Sequence, residues 1–244
     1  MIRLRRTHLE EGADDQSHRL VVTTDPNSAA AEAYRTLRTN LLYSFVDTPP
    51  KVIVFTSAGA REGKSTTCAN LAVVMAQAGK STLLMDCDYR KPVIHKIFGL
   101  RNIRGMTDIL AGERSLQEVS YEPQNELKVL TVGPVPPNPA ELLGSKRFAD
   151  FLAEVRQEFD YVLVDAAPVG LVSDPAILAS QGDGVVLVLD AEHTRKGAFR
   201  GAMRSLEAVG ANMLGTVLNN VASSEKNYYY HHDYYGRGYQ QQQQ

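Results

Sequence analysis

Cysteine is nearly absent from this 244-residue chain, and the two present build neither a disulfide framework nor a metal cluster. Cys68 and Cys87 lie inside apolar segments without pairing or ligand spacing, so they read as reduced core residues. Long apolar runs are missing too, since none approaches the roughly 20 residues that span a bilayer. The start, Met1-Ile2-Arg3-Leu4-Arg5-Arg6, is basic but has no apolar stretch behind it, which argues against a secretory signal. Excess charge is also lacking. A net charge of −2 gives no bulk drive toward nucleic acid, and none is expected as a partner. There is no internal repeat. What remains is the expectation of a soluble, cytoplasmic protein, and a composition 43% hydrophobic and 22% charged can bury a real core.

The chain divides into three parts. Residues 1–27 are polar, charge-rich and without period, and are expected to form a mobile arm. Residues 28–222 alternate short apolar strands with amphipathic helices, as one three-layer α/β domain does. Residues 223–244 lose all period and are expected to be a disordered tail. Ser28 is placed to cap a helix running to Phe45. Strands are expected at Val52–Thr56, Ser81–Asp86, Leu127–Val132, Tyr161–Asp165, Val185–Asp190 and Met213–Leu218. The runs starting at Val52, Tyr161 and Val185 are nearly continuous, the pattern of a parallel sheet covered on both faces. Helical spacing marks Lys64–Ala78, Ser145–Phe159, Asp174–Ala179 and Lys196–Val209. The proline-rich stretch from Gly133 to Ala140 reads as an ordered loop or extended connector.

Chemistry enters after the strand at Val52. The loop Ala58-Gly59-Ala60-Arg61-Glu62-Gly63-Lys64-Ser65, followed by Thr66, joins that strand to a helix, which is the context a phosphate-binding loop requires. Gly59 and Gly63 let the backbone curl so that N–H groups face phosphate oxygens, helped by the helix N-terminus. Lys64 supplies a cation, Ser65 a hydroxyl for Mg²⁺, and Thr66 can reach a neighbouring phosphate. Two further strands end in carboxylates: Leu83-Leu84-Met85-Asp86-Cys87-Asp88 and Tyr161-Val162-Leu163-Val164-Asp165. In an open parallel sheet, ligands sit at the carboxyl ends of the strands. Three aspartates there suit a hydrated Mg²⁺ and a general base. The fold class is therefore a P-loop NTPase with a mainly parallel sheet, and ATP with Mg²⁺ the expected cofactors.

These segments together resemble the bacterial tyrosine kinases of capsule and exopolysaccharide synthesis, in the form of their stand-alone cytoplasmic catalytic subunit. The likeness runs from about Ser28 to the C-terminus. It rests on the loop ending Glu62-Gly63-Lys64-Ser65-Thr66, on Asp86-Cys87-Asp88-Tyr89-Arg90-Lys91-Pro92, on Gly133-Pro134-Val135-Pro136-Pro137-Asn138-Pro139-Ala140-Glu141-Leu142-Leu143, and on the strand ending at Asp165 with Pro168 behind it. The resemblance implies that Lys64 and Ser65 hold ATP and Mg²⁺, and that Asp86 and Asp88 serve metal and acceptor, with Asp86 as base. Asp165 would orient the metal through water, and Asn219 would read the adenine. No His-Arg-Asp or Asp-Phe-Gly segment of a eukaryotic-type kinase is present. Glu32, Arg35 and Arg38 match the family's Glu-x-x-Arg-x-x-Arg motif, which implies a ring of identical subunits. On spacing alone they are also adequate as an exposed intrahelical ion pair.

The tail carries Tyr228, Tyr229, Tyr230, Tyr234, Tyr235 and Tyr239, expected to be autophosphorylated in trans by a ring neighbour. Phosphates at roughly −1.5 to −2 charges each would make it strongly anionic and so a switch for the ring. The family implies further partners: a membrane-embedded adaptor that recruits the kinase to the inner membrane face, a cognate tyrosine phosphatase, and substrates such as sugar-activating enzymes. Two departures stand out. Ala60-Arg61 replaces the Pro-Gly of many relatives, and Ala166-Ala167-Pro168 follows Asp165 where Thr-Pro-Pro is frequent. The alternatives are a dimeric ATPase of the MinD/ParA type with the same deviant loop, and a non-kinase regulatory binding module. Against the first, Gly59 stands where those ATPases carry a signature lysine.

Overall fold

The computed structural model describes residues 2–5, 20–43, 45 and 49–222. Among them, eight strands form one sheet: β1 (Ile2–Arg5), β2 (Val52–Ser57), β3 (Thr82–Asp86), β4 (Tyr121–Gln124), β5 (Leu127–Leu130), β6 (Tyr161–Asp165), β7 (Gly184–Asp190) and β8 (Met213–Val221). Their order is β1-β8-β7-β2-β6-β3-β5-β4, and every pairing is parallel except that of β4 with β5. The helices are α1 (Val21–Thr24), α2 (Ala29–Tyr43), α3 (Lys64–Gln77), α4 (Ile94–Ile97), α5 (Met106–Ala111), α6 (Leu116–Val119), α7 (Pro139–Leu143), α8 (Lys146–Glu158), α9 (Asp174–Gln181) and α10 (Lys196–Glu207).

The continuous apolar strands follow from helices on both faces. Val52 and Val54 of β2 join a core with Phe148, Leu152 and Val155 of α8, Leu178 of α9 and Leu206 of α10. Ile53 and Phe55 point the other way, into a second core with Leu37 and Leu41 of α2 and Leu71 and Met75 of α3. With both faces buried, period-two alternation has no solvent side to mark. Caps fix two of the helices. Ser28 Oγ accepts from Ala31 N at 3.1 Å at the head of α2, and Ser145 Oγ accepts from Phe148 N at 3.2 Å at the head of α8.

The stretch expected to be a mobile arm contributes two ordered elements. Ile2–Arg5 pairs parallel with β8, Ile2 opposite Val217, and so becomes the outermost strand, covering the edge of β8. The α1 turn buries Val22, whose N–H donates to Asn70 Oδ1 at 3.2 Å. Four-residue elements are too short to show a period. Residues 6–19, and the tail tyrosines within 223–244, lie outside the described residues. The short strand β4 was equally illegible, with Pro123 at a sheet edge where its missing N–H costs no ladder bond.

One aspartate holds the start of β2 in place. Asp183 Oδ2 accepts from Lys51 N at 3.0 Å and Val52 N at 2.8 Å, while Oδ1 pairs with Arg156 Nη1. Asp183→Ala would strand these donors, so it should lower unfolding stability by about 2–3 kcal/mol, read by urea melts. β2 carries the loop on which the site is built.

Candidate active site

The loop between β2 and α3 is shaped by close contacts. Gly63 sits at φ +87°, and a Cβ there would lie 1.9 Å from Asn219 Nδ2. That amide donates to Glu62 O at 3.3 Å, tying the end of β8 to the loop. On the other flank a Cβ at Gly170 would meet Ala58 O at 2.2 Å. Both glycines are required by approach, and Gly63 also by conformation. Arg61 lies at φ +63°, the left-handed region that glycine tolerates freely. The departure seen in the sequence therefore leaves the turn intact at a conformational cost. Arg61→Gly should leave thermal stability unreduced, whereas β-branched Arg61→Val should cost about 1–2 kcal/mol in a melt.

The charges converge as the strand order dictates. β6 lies between β2 and β3, with Asp86 directly opposite Asp165. Lys64 is buried, and its Nζ reaches Asp88 Oδ2 at 2.9 Å, Asp165 Oδ1 at 3.2 Å and Ser65 Oγ at 3.0 Å. Burial works against the ammonium, but Asp165 and Asp88 outweigh it and hold its pKa above the ordinary lysine value. Asp86 is fully buried; Oδ1 accepts from Asp88 N and Oδ2 from Ile94 N, both at 3.1 Å. Burial first, then the Asp165 charge, raises its carboxyl well above the usual range. Burial likewise raises Asp165, with Lys64 opposing. Asp88 Oδ1 accepts from Lys91 N at 2.9 Å.

Two carboxylates thus pair with one ammonium and Asp86 adds its charge nearby, while Asp165 Oδ2 is buried without a hydrogen-bond partner among the described residues. This surplus of hard oxygen beside the Ser65 hydroxyl fits Mg²⁺. Among the described residues no group of side chains makes a metal cage by itself. Mg²⁺ needs none, since it keeps waters and takes substrate phosphate oxygens.

Several neighbours of the site gave little sequence signal. Arg90 grips buried Asp174 at the head of α9, Nε to Oδ2 at 3.0 Å and Nη2 to Oδ1 at 3.3 Å. Thr194 Oγ1 donates to Glu62 Oε1 at 2.5 Å and accepts from Asp190 N at 2.8 Å. Asp190 Oδ2 accepts from Asn220 Nδ2 at 2.8 Å. Asp190 does end an apolar strand, as Asp86 and Asp165 do, and that pattern was its available clue. Thr66 lies in the first turn of α3, and Asn219 on β8 has its amide on the loop backbone. Glu32 and Arg35 form the exposed pair at 3.0 Å; Arg35 also donates to Pro26 O and Arg38 to Val74 O. Arg35 and Arg38 thus tie α2 to neighbouring segments of its own chain, while the Glu32–Arg35 pair lies within the helix. Cys68 and Cys87 are buried and free, their thiols pushed up by burial.

A phosphate loop, a lysine and strand-end aspartates on a mainly parallel sheet define a P-loop NTPase. The AAA domain family matches residues 50–211. Tyrosine-protein kinase YwqD of Bacillus subtilis (strain 168) is 42% identical over 201 residues, 82% of this chain and 85% of that one. The crystal structure of the chimerical protein CapA2B2 has a TM-score of 0.83 at 34% identity, covering 91% of this chain and 93% of that one. The kinase domain of the Escherichia coli tyrosine kinase ETK has a TM-score of 0.82 at 30% identity, with coverage of 91% and 90%. The chain belongs to the bacterial tyrosine-protein kinase family.

Proposed function

We propose that this chain is an ATP-dependent protein-tyrosine kinase that phosphorylates the tyrosines of its own C-terminal segment and regulates capsule or exopolysaccharide synthesis. The observation that carries the reading is Lys64 held between Asp88 and Asp165 beside fully buried Asp86, where the phosphate loop enters α3. Lys64 would pass to the β- and γ-phosphate oxygens of ATP, and the N–H groups of residues 59–66 would cradle them. Ser65, with Asp86, Asp88 and Asp165, would hold Mg²⁺, which when bound offsets charge on the transferring group. Asp86, its carboxyl held above the ordinary range, suits acceptance of the tyrosine hydroxyl proton as the phenolic oxygen bonds to phosphorus and ADP leaves. The rest of the catalysis would be positioning. Asn219 would lie beside the adenine.

Acceptors would be Tyr228, Tyr229, Tyr230, Tyr234, Tyr235 and Tyr239, presented to a neighbour in a ring assembled through Glu32, Arg35 and Arg38. Among the described residues no helix is long and apolar enough to cross a membrane, so recruitment to the inner membrane face would fall to a membrane-embedded adaptor. A cognate phosphatase would reset the tail, and sugar-activating enzymes would be further substrates. Mass spectrometry of the chain incubated with Mg²⁺, ATP and an adaptor fragment tests this. Phosphate should appear on the tail tyrosines and vanish in Lys64→Ala; a tail that stays unmodified with the adaptor present sinks the reading. Light scattering of Lys64→Ala tests the ring apart from phosphorylation, and a strict monomer counts against it.

A further inference from the structure

The phosphate loop carries two buried charges, and the fold sends them to opposite sides of β2. Lys64 turns toward β6 and β3, onto Asp165 and Asp88. Glu62 turns toward β7, where the Thr194 hydroxyl donates to Oε1 at 2.5 Å. The Thr194 oxygen is fixed in turn, because it accepts from Asp190 N at 2.8 Å. Asp190 is itself pinned: Oδ1 accepts from Glu192 N at 2.8 Å and His193 N at 3.0 Å, and Oδ2 accepts from Asn220 Nδ2 at 2.8 Å. Glu62 is only 6% exposed, and its Oε2 has no hydrogen-bond partner among the described residues. Its side chain is therefore held by one bond.

A buried carboxylate stripped of its hydrogen bond is costly, and pairing with a nearby cation offsets that cost. Two residues along the loop stands Lys64, the ammonium that must meet the phosphates. We propose that Thr194 is a positioning residue whose hydroxyl keeps the Glu62 carboxylate on the β7 side, turned from Lys64. A carboxylate free to swing would compete with the nucleotide for Lys64 and repel its phosphates. The inference rests on the loop being the ATP site, and assigns a role to a residue outside every motif named above.

ATP affinity by calorimetry with Mg²⁺, KM and kcat for tail phosphorylation, and melting temperature should be compared in wild type, Thr194→Val, Thr194→Ser and Thr194→Val/Glu62→Gln. Thr194→Val should weaken ATP binding and raise KM by about tenfold or more, the effect of losing one hydrogen bond to a charged group, with a smaller change in kcat. Thr194→Ser should stay within about twofold, because it keeps the hydroxyl. Adding Glu62→Gln to Thr194→Val should recover most of the lost affinity, since a neutral amide does not compete for Lys64. Thr194→Ala replaces valine if the larger side chain prevents folding. Wild-type affinity in Thr194→Val, or a lowered melting temperature as its sole defect, overturns the proposal. So does a double variant as weak as the single one, which would make loop shape rather than charge the cause. Wild-type protein that binds no ATP would overturn the reading of the loop itself, and this inference with it.

Discussion

Lys64→Ala is expected to reduce tail phosphorylation by about a thousandfold, the scale seen when a cation or donor aimed at transferred phosphoryl or acyl oxygens is removed. The same change acts on the resting protein. Lys64 is the cation that Asp88 and Asp165 both touch, so its loss leaves three buried carboxylates facing one another. Breaking buried pairs from one side costs about 3–5 kcal/mol. The nucleotide-free variant should therefore melt well below wild type at neutral pH. Acid should narrow that gap, because protonation removes the repulsion that Lys64 had offset. Assays below the variant's melting point, with circular dichroism in parallel, separate lost catalysis from lost fold. A variant that stays folded and phosphorylates its tail at wild-type rate would refute the role given to Lys64.

Asp165→Asn should do two opposite things, with activity falling about a hundredfold or more while the nucleotide-free protein becomes more stable by about 1–2 kcal/mol. Burial raises the pKa of Asp165, and burial followed by the Asp165 charge raises that of Asp86. A carboxyl whose pKa is raised by folding favours the fold in its protonated form. That contribution is complete below the unfolded value of about 3.9 and is lost as pH rises through the folded value. Wild type should thus lose ground to Asp165→Asn as pH rises from about 4 toward neutrality, where the asparagine carries no charge to desolvate. An amide can still accept from Lys64 through its oxygen, and its nitrogen replaces the unpartnered Oδ2. Melting temperature against pH for both proteins, without nucleotide, checks the sign. Parallel curves would show that the site stores no electrostatic strain.

What could be read from the sequence follows a physical line. β2, β3, β6 and β7 were legible because strands buried on both faces leave apolar runs, and each ends within one or two residues of its expected limit. The phosphate loop and its aspartates were legible because their chemistry demands fixed residue types at fixed spacing. Arg61 was visible as a departure, and its left-handed backbone is the outcome that departure raised. By contrast β1, α1 and β4 rest on pairing and packing with distant residues, which four-residue segments cannot advertise. Asp183, Arg90 with Asp174, and Thr194 with Glu62 escaped for a related reason. Each joins residues between 27 and 132 positions apart. Hydrogen bonds of that reach are set by the order of strands in the sheet, and composition carries no trace of it.

The ion pairs of Lys64 have a meaning for the intervals between turnovers. An acidic pocket that waits for a divalent cation would normally gape or draw in whatever ion is at hand. Here the protein carries its own placeholder, a tethered single charge that sits among the aspartates and would leave them for nucleotide phosphates. Loading would then be a handover, in which the lysine exchanges carboxylates for phosphates and frees aspartate oxygens that could hold a metal. An idle subunit would then keep its shape without borrowing magnesium, and the side chain that closes the acidic pocket would be the one that opens it.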